Sequence, residues 1–297
     1  MTTTLLTGCH TALITPFTAD GAVDEPAYRK LIEWQITEGI NGLVPVGSTG
    51  EAATLSLDER VRVVRICVEQ AAGRVPVIAG AGGSDTAAAI IASRAMAAAG
   101  ATHLLHVSPA YSKPPQRGII AHFRAIADAA TLPVVLYNVP GRTASNMEAD
   151  TTLVLAQHPN IIAVKEASGS LSQMSEIIRN RPEHFSVISG DDPLTLGLIA
   201  AGGHGIVSVV SNAVPRQMTD LCTRALAGDF AAAQVLHMAL TPIFGAAFVE
   251  SNPIPIKSAL AMMGRIGHHL RLPLVPMDPK HDHRVRAALV AAGAIAK

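Results

Sequence analysis

The sequence is poor in residues that would mark several kinds of protein. Aromatic side chains make up only 3% of its 297 residues, too few for the stacking platforms on which nucleic-acid bases rest. The three cysteines, Cys9, Cys67 and Cys222, are far apart and odd in number. That argues against a disulfide framework or a zinc site and fits a reducing cytoplasm. Charge is scarce, at 15%, and unbiased, with 23 Lys+Arg against 23 Asp+Glu, so no polyanionic partner is implied. Every apolar run is broken by glycine, proline or charge before it reaches the length of a membrane span. The opening Met1-Thr2-Thr3-Thr4-Leu5-Leu6-Thr7-Gly8 has neither a basic start nor a long apolar stretch, so no export signal is read there. These absences leave a soluble, cytoplasmic protein that binds neither nucleic acid nor membrane as the expectation.

What the chain does have is a large apolar fraction, 49%, and a recurring unit of short apolar strand, loop and helix. The pattern predicts strands at 9–14, 42–46, 75–79, 103–107, 134–138, 161–165, 185–189 and 206–210. It predicts helices at 24–38, 56–72, 85–99, 116–130, 148–157, 170–180, 193–201 and 214–227. Ser56-Leu57-Asp58-Glu59 fits a capping box, Ser84-Asp85 opens the third helix and Gly100 closes it. Eight units of roughly 28 residues suit a (β/α)8 TIM barrel over residues 1–228. From 229 to 297 the pattern changes to helices at 230–250, 255–264 and 283–296 without strands, punctuated by Pro253, Pro255, Pro273, Pro276 and Pro279. This stretch reads as a C-terminal helical appendage. The alternative is a doubly wound dinucleotide fold, supported by Gly80-Ala81-Gly82-Gly83-Ser84-Asp85 between a strand and a helix. There Asp85 stands where G-x-G-x-x-G requires its third glycine.

In a barrel, reactive groups sit at the C-terminal strand ends. The sixth strand, Ile161-Ile162-Ala163-Val164, ends in Lys165. That ammonium either snorkels to water or is held near the apolar interior and partly neutralised, and only a neutral amine forms a Schiff base with a carbonyl. Tyr137, at the end of the fifth strand, sits beside it at a comparable height and could move protons. Arg142, in Gly141-Arg142-Thr143, offers a planar fork for a carboxylate. Gly47-Ser48-Thr49-Gly50-Glu51 is either an anion-binding turn or simply a tight one. Tyr111, in a proline-rich loop, is either a functional phenol or a packing residue, and Asp191 or Asp192 can cap the helix that follows. Among twelve histidines, His268-His269 and His281-Asp282-His283 lack ligand spacing and read as surface residues, while Gly202-Gly203-His204-Gly205 reads as a turn on the opposite face.

Together Gly47-Ser48-Thr49-Gly50-Glu51, Tyr137-Asn138-Val139-Pro140-Gly141-Arg142-Thr143 and Ile162-Ala163-Val164-Lys165-Glu166-Ala167-Ser168-Gly169 resemble the signatures of the dihydrodipicolinate synthase / N-acetylneuraminate lyase superfamily. The likeness runs through Ser189-Gly190-Asp191-Asp192 to Asn252-Pro253-Ile254-Pro255-Ile256-Lys257 and so spans nearly the whole chain. It implies a Schiff-base barrel acting on pyruvate, usually a homotetramer built as a dimer of dimers. No metal or organic cofactor is needed, because the lysine imine serves as the electron sink. Position by position, Lys165 matches the Schiff-base lysine and Tyr137 the proton donor and acceptor. Ser48 and Tyr111 match a hydroxyl relay, with Tyr111 lent by a neighbouring subunit, and Thr49 and Val207 match the pyruvate contacts. Ser48 replaces a threonine often found there, which keeps the hydroxyl but frees its rotamer. Gly141-Arg142-Thr143 resembles the branch that condenses pyruvate with aspartate semialdehyde, the arginine holding the aldehyde's carboxylate. A sibling aldolase or dehydratase acting on a 2-keto sugar acid is the nearest alternative, and a non-catalytic keto-acid-binding barrel a distant one. In relatives inhibited by lysine, a cleft between subunits binds that amino acid. The matching Ala52, Leu57, Arg60, Ser84, Ala88 and Ala110 offer it few acceptors, so weak or absent inhibition is expected.

Overall fold

The computed structural model describes residues 5–296. Its strands are β1 (Gly8–Ala12), β2 (Gly42–Val44), β3 (Ile78–Gly80), β4 (His103–Val107), β5 (Val134–Asn138), β6 (Ile161–Glu166), β7 (Ser186–Ser189) and β8 (Gly205–Ser208). They form one parallel sheet in the order β2-β1-β8-β7-β6-β5-β4-β3. The two ends of that order meet at a parallel bridge between Leu43 and Val77, where the Leu43 N–H donates to the Pro76 carbonyl at 3.0 Å. The sheet therefore curls into a (β/α)8 barrel, and the doubly wound alternative falls because the strand order never reverses.

Helices α1 (Glu25–Thr37), α2 (Leu57–Ala71), α3 (Thr86–Ala98), α4 (Gln116–Ala129), α5 (Pro140–Thr143), α6 (Ala149–Ala156), α7 (Leu171–Asn180), α8 (Thr195–Ala200) and α9 (Pro215–Leu226) fill the crossovers. Their ends follow local chemistry. Ser56 and Glu59 exchange side-chain and backbone bonds in a full capping box, and the Asp85 carboxylate accepts from the N–H groups of Ala87 and Ala88 to start α3. The single turn of α5 is too short to leave a periodic trace and was absent from the sequence pattern. The glycine-rich stretch before α3 serves barrel closure: a Cβ on Gly80 would lie 2.0 Å from the Val46 carbonyl oxygen.

Alternation along the strands divides the core in two. Ala12, Val44, Ile78, Leu105, Val135, Ile188 and Val207 fill the barrel, while Leu43, Leu104, Leu136, Val164, Val187 and Ile206 face the helical shell. At roughly 1.5–3 kcal/mol per buried aliphatic side chain, these two layers dominate the stability of the scaffold. After α9 come α10 (Phe230–Ala246), α11 (Ile254–Met262) and α12 (Asp282–Ala291), with α10 packed on α9 and α12 on α10. Three histidines read as surface residues, His268, His269 and His281, are half-buried instead. His268 Nε2 lies 2.7 Å from Ser258 Oγ, and His281 Nε2 lies 3.8 Å from Glu250 Oε1. Among the described residues no helix is long and apolar enough to cross a membrane, and no group of three or more His, Cys, Asp or Glu could hold a metal ion.

Candidate active site

Sheet register sets the centre of the mouth. Between β5 and β6 the pairing shifts, with Val134 opposite Ile161 but Val135 opposite Ala163, so that Tyr137 pairs directly with Lys165. The Lys165 side chain is 6% exposed and its Nζ lies 4.1 Å from the centre of the Tyr137 ring. Room for it depends on Gly190 after β7, where an added Cβ would stand 3.0 Å from Lys165 Cε and 2.6 Å from the Ala167 Cβ.

Burial pushes the Lys165 amine down to about 8; the carboxylates of Asp192 and Asp191 pull it partly back up, and Arg142 adds to the depression. Roughly a tenth of such an amine is neutral at pH 7, against about one in 2,500 for an ordinary lysine. Burial drives the Tyr137 phenol up to about 12, so it keeps its proton at neutral pH and can donate it. The same geometry therefore gives an amine that can attack and a phenol that can protonate.

The far side of β6 holds the lysine's backbone in place. Glu166, fully buried, accepts from Asn138 Nδ2 at 3.0 Å, Gln173 Nε2 at 3.0 Å and the Ser168 N–H at 2.7 Å. Asp191 or Asp192 was expected to cap the helix after β7, but neither the short turn Asp192–Leu194 nor α8 has a side-chain cap, and Asp192 is used elsewhere. Its buried carboxylate instead accepts from Ser208 Oγ at 2.5 Å and from the N–H groups of Val209 and Val210 at 3.1 and 3.3 Å. Asp192 thus ties the turn after β7 to the end of β8, and burial raises it to about 6.

The remaining residues singled out in the sequence are spread around this centre. Val207 lies in the barrel interior on β8. Thr49 is buried and accepts from Asn252 Nδ2 at 2.9 Å. Arg142, on the exposed turn of α5, donates from Nη2 to the Asn252 carbonyl at 3.0 Å. Ser48 is exposed, and Tyr111 is 95% exposed with a left-handed backbone (φ 70°). Among the described residues no hydrogen bond links the hydroxyls of Ser48, Tyr111 and Tyr137, so the structure does not assemble that relay within one chain.

Sequence reasoning missed the contribution of the C-terminal region to the mouth. Lys257 on α11, fully buried, donates to Glu51 Oε1 at 2.6 Å and to the Thr15 carbonyl at 3.0 Å. Glu51 also accepts from the Arg271 N–H at 3.2 Å, and both Lys257 and Arg271 lie over the Phe17 ring. The sequence signal was Asn252-Pro253-Ile254-Pro255-Ile256-Lys257, part of the family likeness but with no role attached.

Comparison with known proteins agrees with this architecture. Residues 5–292 match the model of the dihydrodipicolinate synthetase family. A 4-hydroxy-tetrahydrodipicolinate synthase of Maridesulfovibrio salexigens is 50% identical over 289 residues, covering 97% of this chain and 99% of that one. The enzyme of the same name from Nitratidesulfovibrio vulgaris strain DP4 is 51% identical over 288 residues, covering 97% and 98%. A crystal structure of the chloride-inhibited dihydrodipicolinate synthase of Acinetobacter baumannii, complexed with pyruvate, superposes with a TM-score of 0.96 at 40% identity over 97% of this chain and 99% of that one. Alike in sequence, in fold and along nearly its full length, the chain belongs to the dihydrodipicolinate synthetase family.

Proposed function

We propose that this chain is a 4-hydroxy-tetrahydrodipicolinate synthase, a lyase that condenses pyruvate with L-aspartate 4-semialdehyde through an imine on Lys165. The observation that carries the reading is the buried Lys165 amine, brought down to about 8 and packed against a protonated Tyr137. Neutral Lys165 attacks the keto carbon of pyruvate; Tyr137 supplies a proton as water leaves, giving the imine. Loss of a proton from the methyl group makes an enamine, whose carbon attacks the aldehyde of the second substrate. The amino group of that substrate then displaces Lys165 and closes the ring, returning the free lysine. Thr49 and Val207 contact pyruvate, and Arg142 holds the carboxylate of the semialdehyde. Ser48 and Tyr111 pass protons to and from Tyr137. The names of the relatives, and the pyruvate complex of the Acinetobacter baumannii enzyme, support this choice of substrates.

Tyr111 stands free on its own chain, which supports its serving a neighbour in a homotetramer built as a dimer of dimers. Three buried cysteines without disulfides fit a cytoplasmic enzyme. The barrel, residues 1–228, carries the chemistry, and residues 229–297 brace its mouth. A coupled assay with pyruvate and aspartate semialdehyde is expected to show turnover, and 2-keto sugar acids to give none. The reverse preference would contradict the reading in favour of a sibling aldolase or dehydratase.

A further inference from the structure

One residue of the C-terminal region touches both halves of the mouth. Asn252 is 5% exposed; its Nδ2 donates to the Thr49 hydroxyl oxygen at 2.9 Å, and its carbonyl accepts from Arg142 Nη2 at 3.0 Å. Its position is set from two sides. Lys257, five residues on, is locked to Glu51 at 2.6 Å, and Glu51 closes the turn that carries Thr49. The pair is fully buried, so breaking it would strand a charge, and the lock is strong.

The direction of the Asn252–Thr49 bond matters for chemistry. A threonine hydroxyl has one hydrogen to give and two lone pairs. An amide nitrogen only donates, so it occupies a lone pair of Thr49 and leaves that hydroxyl's own hydrogen free for another acceptor. The opposite setting of the amide is disfavoured. As it stands one amide hydrogen and Oδ1 lack partners, whereas reversal would leave both hydrogens buried without an acceptor where Oδ1 now lies.

We propose that Asn252 is a positioning residue for the first half-reaction: it fixes Thr49 as a hydrogen-bond donor to the carboxylate of bound pyruvate. This rests on the reading of Thr49 as a pyruvate contact. Through its carbonyl the same residue carries Arg142, so the segment that orients the first substrate's site also anchors the second's.

The test is borohydride trapping of pyruvate on the intact enzyme, followed against pyruvate concentration for the wild type, Asn252→Ala, Asn252→Asp and each combined with Thr49→Val. Asn252→Ala should raise the half-saturating pyruvate concentration roughly tenfold, the usual scale for a bond to a charged group. Asn252→Asp keeps the shape but offers no hydrogen when ionised, so it takes the hydrogen of Thr49 and should bind pyruvate more weakly still. Its penalty relative to the wild type should shrink between pH 8 and pH 5.5, because the protonated acid regains an O–H to donate. Direct repulsion between the new carboxylate and pyruvate would also fade with acid, so the convergence is read against the Asn252→Asp, Thr49→Val double variant, where only that repulsion remains. In the Thr49→Val background Asn252→Ala should add no further loss, and Asn252→Asp only a smaller, repulsive one. If Asn252→Ala fails to fold, the difference in pH ratio between Asn252→Asp and its Thr49→Val double decides alone. A trapped wild type with an Asn252→Asp penalty that is absent, constant with pH or equally large with Thr49→Val, or with an Asn252→Ala loss that adds to Thr49→Val, overturns the inference. A wild type that pyruvate does not label overturns the reading beneath it as well.

Discussion

The two sides of the barrel mouth are built on different principles. On one side Lys165 and Tyr137 stand on adjacent strands, paired by sheet register and buried in the interior. On the other, Ser48 and Tyr111 ride on loops and face solvent, without a bond between them or to Tyr137 among the described residues. Strands fix positions to a fraction of an ångström because every residue is held by a ladder on both flanks. Loops at the rim gain such order only from something packed on them. On the proposed function, the pair that forms the imine is complete within one chain, whereas the relay draws on a second.

That contrast ranks the effects of substitution. Lys165→Arg should have the largest, a loss of turnover of at least about 10³-fold, because arginine keeps its proton and cannot attack a carbonyl. Steady-state assays of the folded variant check it, and turnover near the wild type would remove Lys165 from the mechanism. Tyr111→Phe should cost about a hundredfold, the lower range for a proton-transfer group. Mixing it with Lys165→Arg subunits should restore part of the activity, since one site of a hybrid pair would hold an intact Lys165 and receive an intact Tyr111. Verified hybrids without activity would show that the relay side is not shared.

Arg142→Ala should act chiefly on the second substrate. A tenfold to hundredfold fall in kcat/KM for aspartate semialdehyde is expected, with a much smaller fall in pyruvate labelling because Arg142 also helps to depress Lys165. An equal fall in labelling would place Arg142 in the first half-reaction. The smallest effect expected is that of free lysine. Of the polar side chains in the matching positions, Ser84 already bonds the backbone of Ala110 in both directions, at 3.2 and 3.1 Å. The Arg60 guanidinium bonds the carbonyls of Leu55 and Ala52. Arg60 offers no acceptor to an ammonium group and Ser84 at most one remaining lone pair, so initial rates should change little with lysine in the millimolar range. Saturable inhibition below about 1 mM, a binding free energy of ~4 kcal/mol, would contradict this.

Much of the register-built side was legible in the sequence. Strands 103–107 and 134–138 coincide with β4 and β5, and regular strand rise set Tyr137 and Lys165 at comparable heights, although their direct pairing comes from the register shift between Val134 and Val135. The loop-built side was legible only as residue types. That Ser48 would lie exposed, or that Asp192 would turn from its own helix towards β8, depends on the path of irregular backbone. The brace was the least visible. Glu51 and Lys257 lie 206 residues apart, and neither carries a local pattern that announces a fully buried ion pair. Asn252 likewise reads as an ordinary turn residue before proline until the chain brings Thr49 and Arg142 to it.

The central claim is that the barrel interior, not a partner or a cofactor, turns Lys165 into a nucleophile. It is tested most directly by the rate of borohydride trapping of pyruvate from pH 6 to pH 10, with the labelled peptide located by mass spectrometry. An amine brought down to about 8 must lose its proton before it attacks. The label should fall on Lys165, with a rate that rises about tenfold per pH unit at the acid end and levels off above pH 8. Label on another lysine, or a rate still climbing at pH 10 as for a lysine in water, would contradict the account.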